Sequence, residues 1–399
     1  MDSQFIYTNP EASVPGNGPL QGISIAVQPT ISVKGWLTDA GSKALSGFQA
    51  LDDAAPVERL KQAGASICGS TRTSEFGFGL HGSAAGEALS REKADAELVM
   101  DTAGESRMAA AGAGVFGFKP SYGIVSRFGL IGLIPSMEGC GILAETPDTI
   151  RRIMGIIAGQ DDKDYSLTDE ILPDFSTAET TRGTETLATI REAQDSLTDE
   201  QKNTFRLSLE ELNQAGFTVQ DVSMPEFPLF STVHRIIGSV EASSSAGRYD
   251  SVRYGQRAPG AKNWNEMYLH SRGDAFGQLV KSYLFQGAYF QFDRYEAYDN
   301  ACRIRARLVK EMRSITAQAD FLVLPAGVWT PSETIPTIED MYAGCAPTLF
   351  ANVTGQPSLF VPSPGASRPG FQITGPRLSD EKLLSLGTWL LNNTRGGRQ

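Results

Sequence analysis

Apolar positions along the 399-residue chain alternate between short continuous runs and helix-spaced stripes. The run GISIAV (22–27) reads as a strand that enters a polar turn at Gln28-Pro29-Thr30. AAPVERLKQAGASICGS (54–70) reads as helix, glycine stop and strand. Val57, Leu60 and Lys61 fall at helical spacing, Gly64 is a natural C-terminal cap, and 65–68 is strand-like. In TPDTIRRIMGIIAGQD (146–161), Thr146 caps a helix with Pro147 at its first position. Ile150, Ile153, Met154 and Ile157 make its apolar face, and Gly159 ends it. Thr198 and Gln201 form a capping box ahead of a helix lined by Phe205, Leu209 and Leu212. Gly216 closes that helix, and 217–222 alternates as a strand. Tyr298, Ala301, Arg305, Leu308, Met312 and Ile315 mark a long helix leading to FLVLP (321–325), a buried strand.

Helices that return repeatedly to short apolar strands predict an α/β fold, one large mixed sheet flanked by helices on both faces. Between 161 and 183 the chain is polar and reads as a surface excursion. No repeat or low-complexity linker divides it. The expected organisation is one domain over 1–399 with a short N-terminal arm (1–20).

Composition narrows the function. A net charge of −11 argues against a nucleic-acid groove as the main feature. No stretch approaches the ~18 apolar residues of a membrane helix, and the N-terminal stretch resembles neither a signal nor a transit sequence. A soluble cytoplasmic protein is expected. Cys68, Cys140, Cys302 and Cys345 are scattered, without zinc spacing, and read as reduced, buried thiols. No metal or cofactor is expected. There is no phosphate loop and no H-E-x-x-H, and His81, His234 and His270 have no motif context.

The candidate chemistry lies in DTAGESRMAAAGAGVFGFKPSYG (101–123), where small residues surround an acid, a hydroxyl and an arginine. Ser106 lacks the glycine two residues on that a nucleophile elbow needs, because Met108 stands there. Its plain reading is a hydroxyl bonded to nearby backbone. Glu105 and Arg107, two apart, read as an ion pair on one side of an extended segment.

This stretch continues to Gly132 and resembles the signature segment of the amidase-signature family. GISIAVQPTISVKG (22–35), AGSKALSGF (40–48), APVERLKQAGASICGSTRTSEFGFG (55–79) and PGFQITGPRLSDEKLL (369–384) follow in the family's order. EASSSAGRYDSVRYGQR (241–257) resembles the tRNA-dependent amidotransferase branch, whose A-type subunits release ammonia from glutamine. The resemblance implies the family's Ser–Ser–Lys chemistry, in which a neutral lysine works through a bridging serine on a nucleophilic serine. Here Gln28 stands at the lysine position and Glu105 at the nucleophile position. Lys34 matches a lysine the family has in addition. The Gly/Ser-rich loop that carries the bridging serine is missing from 79–100, although Ser83 and Ser90 lie there. Where the branch grips the charged ends of glutamine, Ser282, Tyr283 and Cys345 mark eroded positions.

Three readings follow. The main expectation is a catalytically inactive pseudoamidase, a scaffold or regulatory subunit working with amidotransferase B- or C-type subunits or by self-association, and touching nucleic acid only indirectly. The alternative is an active amidase or glutamine amidotransferase subunit with rewired chemistry, Glu105 as acid or base and Ser106 or a water as nucleophile. The third is a small-molecule binder using the vacated pocket.

Overall fold

The computed structural model describes residues 5–11, 17–176, 183, 185–327, 335–363 and 370–394. Among the described residues, eleven strands form one sheet in the order β1 (Phe5–Thr8), β3 (Ser66–Thr71), β2 (Ser24–Val27), β4 (Ala96–Asp101), β6 (Gly139–Ala144), β5 (Phe116–Lys119), β10 (Ser358–Val361), β11 (Phe371–Thr374), β9 (Phe321–Pro325), β7 (Thr186–Ile190) and β8 (Thr218–Val222). β3, β2 and β4 run parallel, as do β9, β7 and β8. The strands from β4 through β9 in the middle pair antiparallel. The sheet is therefore mixed, as the sequence pattern implies. Every residue of β4, β5, β9, β10 and β11 is buried, which requires cover on both faces and explains why these strands carry no apolar–polar alternation.

Local signals place the elements well. Thr146 Oγ1 accepts from the Thr149 N–H and starts helix Pro147–Ile157. The Thr198–Gln201 capping box is formed at the head of helix Asp199–Gln214. The long helix spans Tyr295–Thr316 and buries Ala301, Leu308, Met312 and Ile315. The excursion from Asp161 to Ser176 holds neither helix nor strand, and 177–182 and 184 lie outside the described residues. Among the described residues no helix is long and apolar enough to cross a membrane.

The functional interest lies at one sheet edge. β2 and β4 are parallel neighbours, with Val27 opposite Leu98, so their carboxyl ends open on the same side. A crevice beyond the carboxyl ends of parallel strands is where α/β proteins place ligands.

Candidate active site

Two chain segments leave that edge. After Val27 comes Gln28, whose backbone N–H is held by the Leu98 carbonyl. Its side chain is buried; Oε1 accepts from the Met100 N–H at 3.1 Å and Nε2 points to Ser83 Oγ at 3.4 Å. After Asp101 the chain turns through Thr102, Ala103 and Gly104 into helix Glu105–Ala113. Gly104 has φ +106°, and a Cβ there would lie 2.3 Å from the Thr348 side chain. Only glycine makes this turn against that neighbour.

The turn aims its N–H groups at one carboxylate. Glu105 Oε2 accepts from Thr102 N (2.7 Å) and Ala103 N (2.6 Å), and Oε1 accepts from Gly79 N (2.9 Å). The loop that brings Gly79 is itself tied down. Ser74 Oγ donates to the Gly79 carbonyl, and the Glu75 carboxylate takes Ser42 Oγ and the Gly277 N–H. Its other end is held by Glu97, which accepts from the Gly86 N–H. Phe76, buried at φ +56°, adopts the left-handed turn that points Gly79 inward.

The expected Glu105–Arg107 pair is not made. Helix begins at Glu105, and residues two apart on a helix diverge by roughly 200°. Arg107 turns to Asp101 instead, 3.5 Å away, and donates to the Thr348 carbonyl, Gln372 and Asn352. Ser106 also differs from expectation. Its hydroxyl donates in a short bond to the Asp101 carboxylate rather than to backbone. The side chain is fully buried against β6, where a Cβ on Gly141 would lie 2.5 Å from Ser106 Cβ. Ser106 thus faces the sheet, away from Glu105's cluster of N–H groups.

The two carboxyls separate in acidity. Burial opposes the ionisation of Asp101, yet the Arg107 charge and hydrogen bonds from Ser106 and Asn352 hold it below the usual carboxylate range. Burial, reinforced by the negative charge of Asp101, pushes Glu105 up to about 8 against the pull of its backbone donors. Arg107 is lowered by its burial, which outweighs Asp101; a guanidinium remains a cation throughout the physiological range. Two neighbouring carboxyls driven apart in this way are the pattern of an acid–base site.

Of the other sequence-derived positions, Tyr283 and Cys345 reach this region and Ser282 does not. Ser282 is exposed on the outer side of helix Gln278–Phe292. Tyr283 is fully buried, stacked on Phe78 with ring centroids 4.5 Å apart, and its hydroxyl meets that of Tyr342 at 2.9 Å. The Cys345 thiol is raised by burial and by the charges of Glu105 and Asp101. Of the serines, Ser83 is brought to Gln28 although no Gly/Ser-rich run announces it. Among the described residues no cluster of His, Cys, Asp and Glu could hold a metal.

Sequence reasoning passes over Asp101, Gly79 and His234. Asp101 ends the run AELVMD, and an acid closing a buried strand is the available signal. His234 lies within an amphipathic helix, Leu229–Ser245, with no motif to single it out.

A family model described as Amidase matches residues 8–86 and 82–384. The A-type subunit of the Natronomonas pharaonis glutamyl-tRNA(Gln) amidotransferase is 33% identical, over 94% of this chain and 96% of its own length. That of Halobacterium salinarum is 32% identical, over 92% of this chain and 95% of its own. The crystal structure of the corresponding A-type subunit from Thermotoga maritima superposes with a TM-score of 0.80, covering 98% of this chain and 87% of that one at 24% identity, which speaks to the fold. These relatives overturn the expectation of an inactive scaffold. Near-full-length similarity to subunits of an amidotransferase speaks for an enzyme rather than a pseudoenzyme. The expectation rested on the absent serine and lysine, yet the serine position holds Glu105, a carboxyl that burial and the Asp101 charge push up to about 8. The chain belongs to the amidase family.

Proposed function

We propose that this chain cleaves carboxamides with Glu105 as its proton-carrying group. One observation carries the reading: three backbone N–H groups, from Gly79, Thr102 and Ala103, converge on a buried carboxyl whose pKa lies near 8. A group that titrates close to working pH is suited to both halves of an amide hydrolysis. In its ionised form Glu105 takes a proton from water, and the resulting hydroxide adds to the amide carbon. Glu105 then returns the proton to the departing nitrogen. Amide plus water becomes carboxylic acid plus ammonia, and Glu105 ends as it began.

Water, not Ser106, is the nucleophile in this scheme, because the Ser106 hydroxyl is committed to Asp101 at the sheet face. Asp101 supplies fixed negative charge that keeps Glu105 a strong enough base. Glu105 is 2% exposed, so substrate entry requires the 77–86 loop to move. Gly77, Gly79, Gly82 and Gly86 all carry positive φ there, and glycine absorbs such changes most readily.

Similarity to subunits of a glutamyl-tRNA(Gln) amidotransferase supports a tRNA-dependent amidotransferase as the biological setting. In this reading the chain is the amide-cleaving member of such an assembly, working in the cytoplasm, in translation, together with B- or C-type subunits. Residues 1–399 act as one catalytic domain, with 161–183 as a surface excursion and an N-terminal arm (1–20) that lends the edge strand β1 to the sheet. The test is ammonia release from glutamine and a panel of simple carboxamides, with and without such partner subunits, by the native chain and by Glu105→Gln. Turnover that the substitution abolishes supports the proposal. Absence of turnover under every condition, or full activity in Glu105→Gln, refutes it.

A further inference from the structure

His234 is fully buried, and its two ring nitrogens have different partners. Nε2 lies 2.9 Å from the Thr102 carbonyl oxygen, and Nδ1 lies 2.9 Å from the Tyr342 hydroxyl. A carbonyl can only accept, so Nε2 carries the hydrogen. Burial drives the imidazole down to about 4, so the ring is neutral at physiological pH and Nδ1 is a bare acceptor. Tyr342 must therefore donate to Nδ1. Its oxygen is then left to accept from Tyr283, 2.9 Å away. Every hydrogen in the chain has one allowed direction.

The chain ends on the proposed active group. The Thr102 carbonyl and the Ala103 N–H belong to the same peptide unit. That N–H makes the shortest of the three bonds to Glu105, at 2.6 Å. The sequence of donors runs from Tyr283 to Tyr342 to His234, across the Thr102–Ala103 peptide, and onto Glu105 Oε2. A donor on the carbonyl of a peptide polarises its N–H and strengthens the bond that the N–H makes.

We propose that His234, held by Tyr342 and Tyr283, is a positioning residue that orients and polarises the Thr102–Ala103 peptide and so stabilises the ionised form of Glu105. This inference rests on the assignment of Glu105 as the proton carrier only for its catalytic consequence. The hydrogen-bond relay itself is independent of turnover. It also gives a role to Tyr283, one of the positions where the family resemblance implied a grip on the charged ends of glutamine. The titratable and charged groups around Glu105 are Asp101 at the end of β4, Arg107 in the same helix and Cys345 in helix Ile338–Cys345. His234 is neutral and does not change charge while Glu105 titrates, so its influence travels through the peptide.

The test reads Glu105 directly. Protein carrying glutamate labelled with 13C at the side-chain carboxyl is titrated by NMR, and the Glu105 resonance is assigned by its loss in Glu105→Gln. Native protein, His234→Gln, His234→Leu and Tyr342→Phe are compared. Gln keeps an N–H able to reach the Thr102 carbonyl, whereas Leu does not. Cooperative strengthening of ~10–30% on a charge-assisted bond corresponds to an upward move of the Glu105 midpoint by roughly 0.1–0.7 pH unit in His234→Leu. Tyr342→Phe, close in shape and expected to fold, moves it in the same direction by less, and His234→Gln leaves it near the native value. An unmoved midpoint in both folded His234→Leu and folded Tyr342→Phe overturns the proposal. If His234→Leu does not fold, an unmoved midpoint in Tyr342→Phe alone overturns it. Native Glu105 titrating as described in a protein that shows no amide turnover would sink the functional reading and leave the relay standing.

Discussion

Replacing Glu105 by glutamine removes an ionisation that the fold resists, and the consequence for stability can be worked out. In the folded protein the carboxyl titrates near 8, against an ordinary value of 4.5. Between those pH values the folded chain keeps a proton that the unfolded chain has released. Unfolding then releases a proton, so stability falls as pH rises through the window and levels off above about 8. A rise of about three and a half pH units is worth on the order of 5 kcal/mol at ~1.36 kcal/mol per unit. Glutamine carries no such slope. It does bring an N–H2 into a site built of donors, at Gly79, Thr102 and Ala103, which costs about 1–3 kcal/mol at every pH. Glu105→Gln should therefore be somewhat less stable than native protein near pH 5 and more stable near pH 9. Glu97, pushed up to about 7 by burial, adds a similar slope below pH 7 in both proteins and cancels in the comparison. Urea denaturation at unit steps from pH 5 to pH 9 measures the difference. Parallel stability profiles for the two proteins would show that Glu105 ionises in the fold as easily as in the open chain, and the assignment of a near-neutral proton carrier would fail.

Three further outcomes follow from the same geometry. Arg107→Met leaves the buried Asp101 carboxylate without its cation and should cost roughly 3–5 kcal/mol, read from urea midpoints at pH 7. Gly104→Ala forces a side chain onto φ +106° and into Thr348, a loss of roughly 2–5 kcal/mol by the same assay. Ser106→Ala removes the hydroxyl that donates to Asp101, which should destabilise the fold by about 1.5–3 kcal/mol while amide turnover stays within a few-fold of native.

The sheet is legible because its strands announce themselves by length and composition. FLVLP and GISIAV are short, apolar and flanked by breakers, so β9 and β2 fall where the pattern puts them. The capping box at Thr198 and the proline at 147 fix two helix starts for local reasons. The site is less legible because its partners meet through long loops. Nothing local in sequence brings Gly79 to Glu105, 26 residues on, or His234 to the Thr102 carbonyl, 132 residues back. The Glu105–Arg107 pair fails because it presumes an extended segment, whereas Gly104 starts a helix one residue later. Matched positions alone also mislead about catalysis. Judged by what they replace, Gln28 and Glu105 count as losses, yet one of them is a carboxyl standing among three backbone donors.

The most direct measurement is the pH dependence of kcat/KM for amide hydrolysis, followed as ammonia release, in native protein and in Glu105→Gln. A base that must be ionised predicts a rate that climbs with pH through about 8 and then reaches a plateau, and a drop of roughly 10²–10⁴ on substitution. Ammonia release that is absent across the range, or that is insensitive to both pH and the loss of the carboxyl, would contradict it.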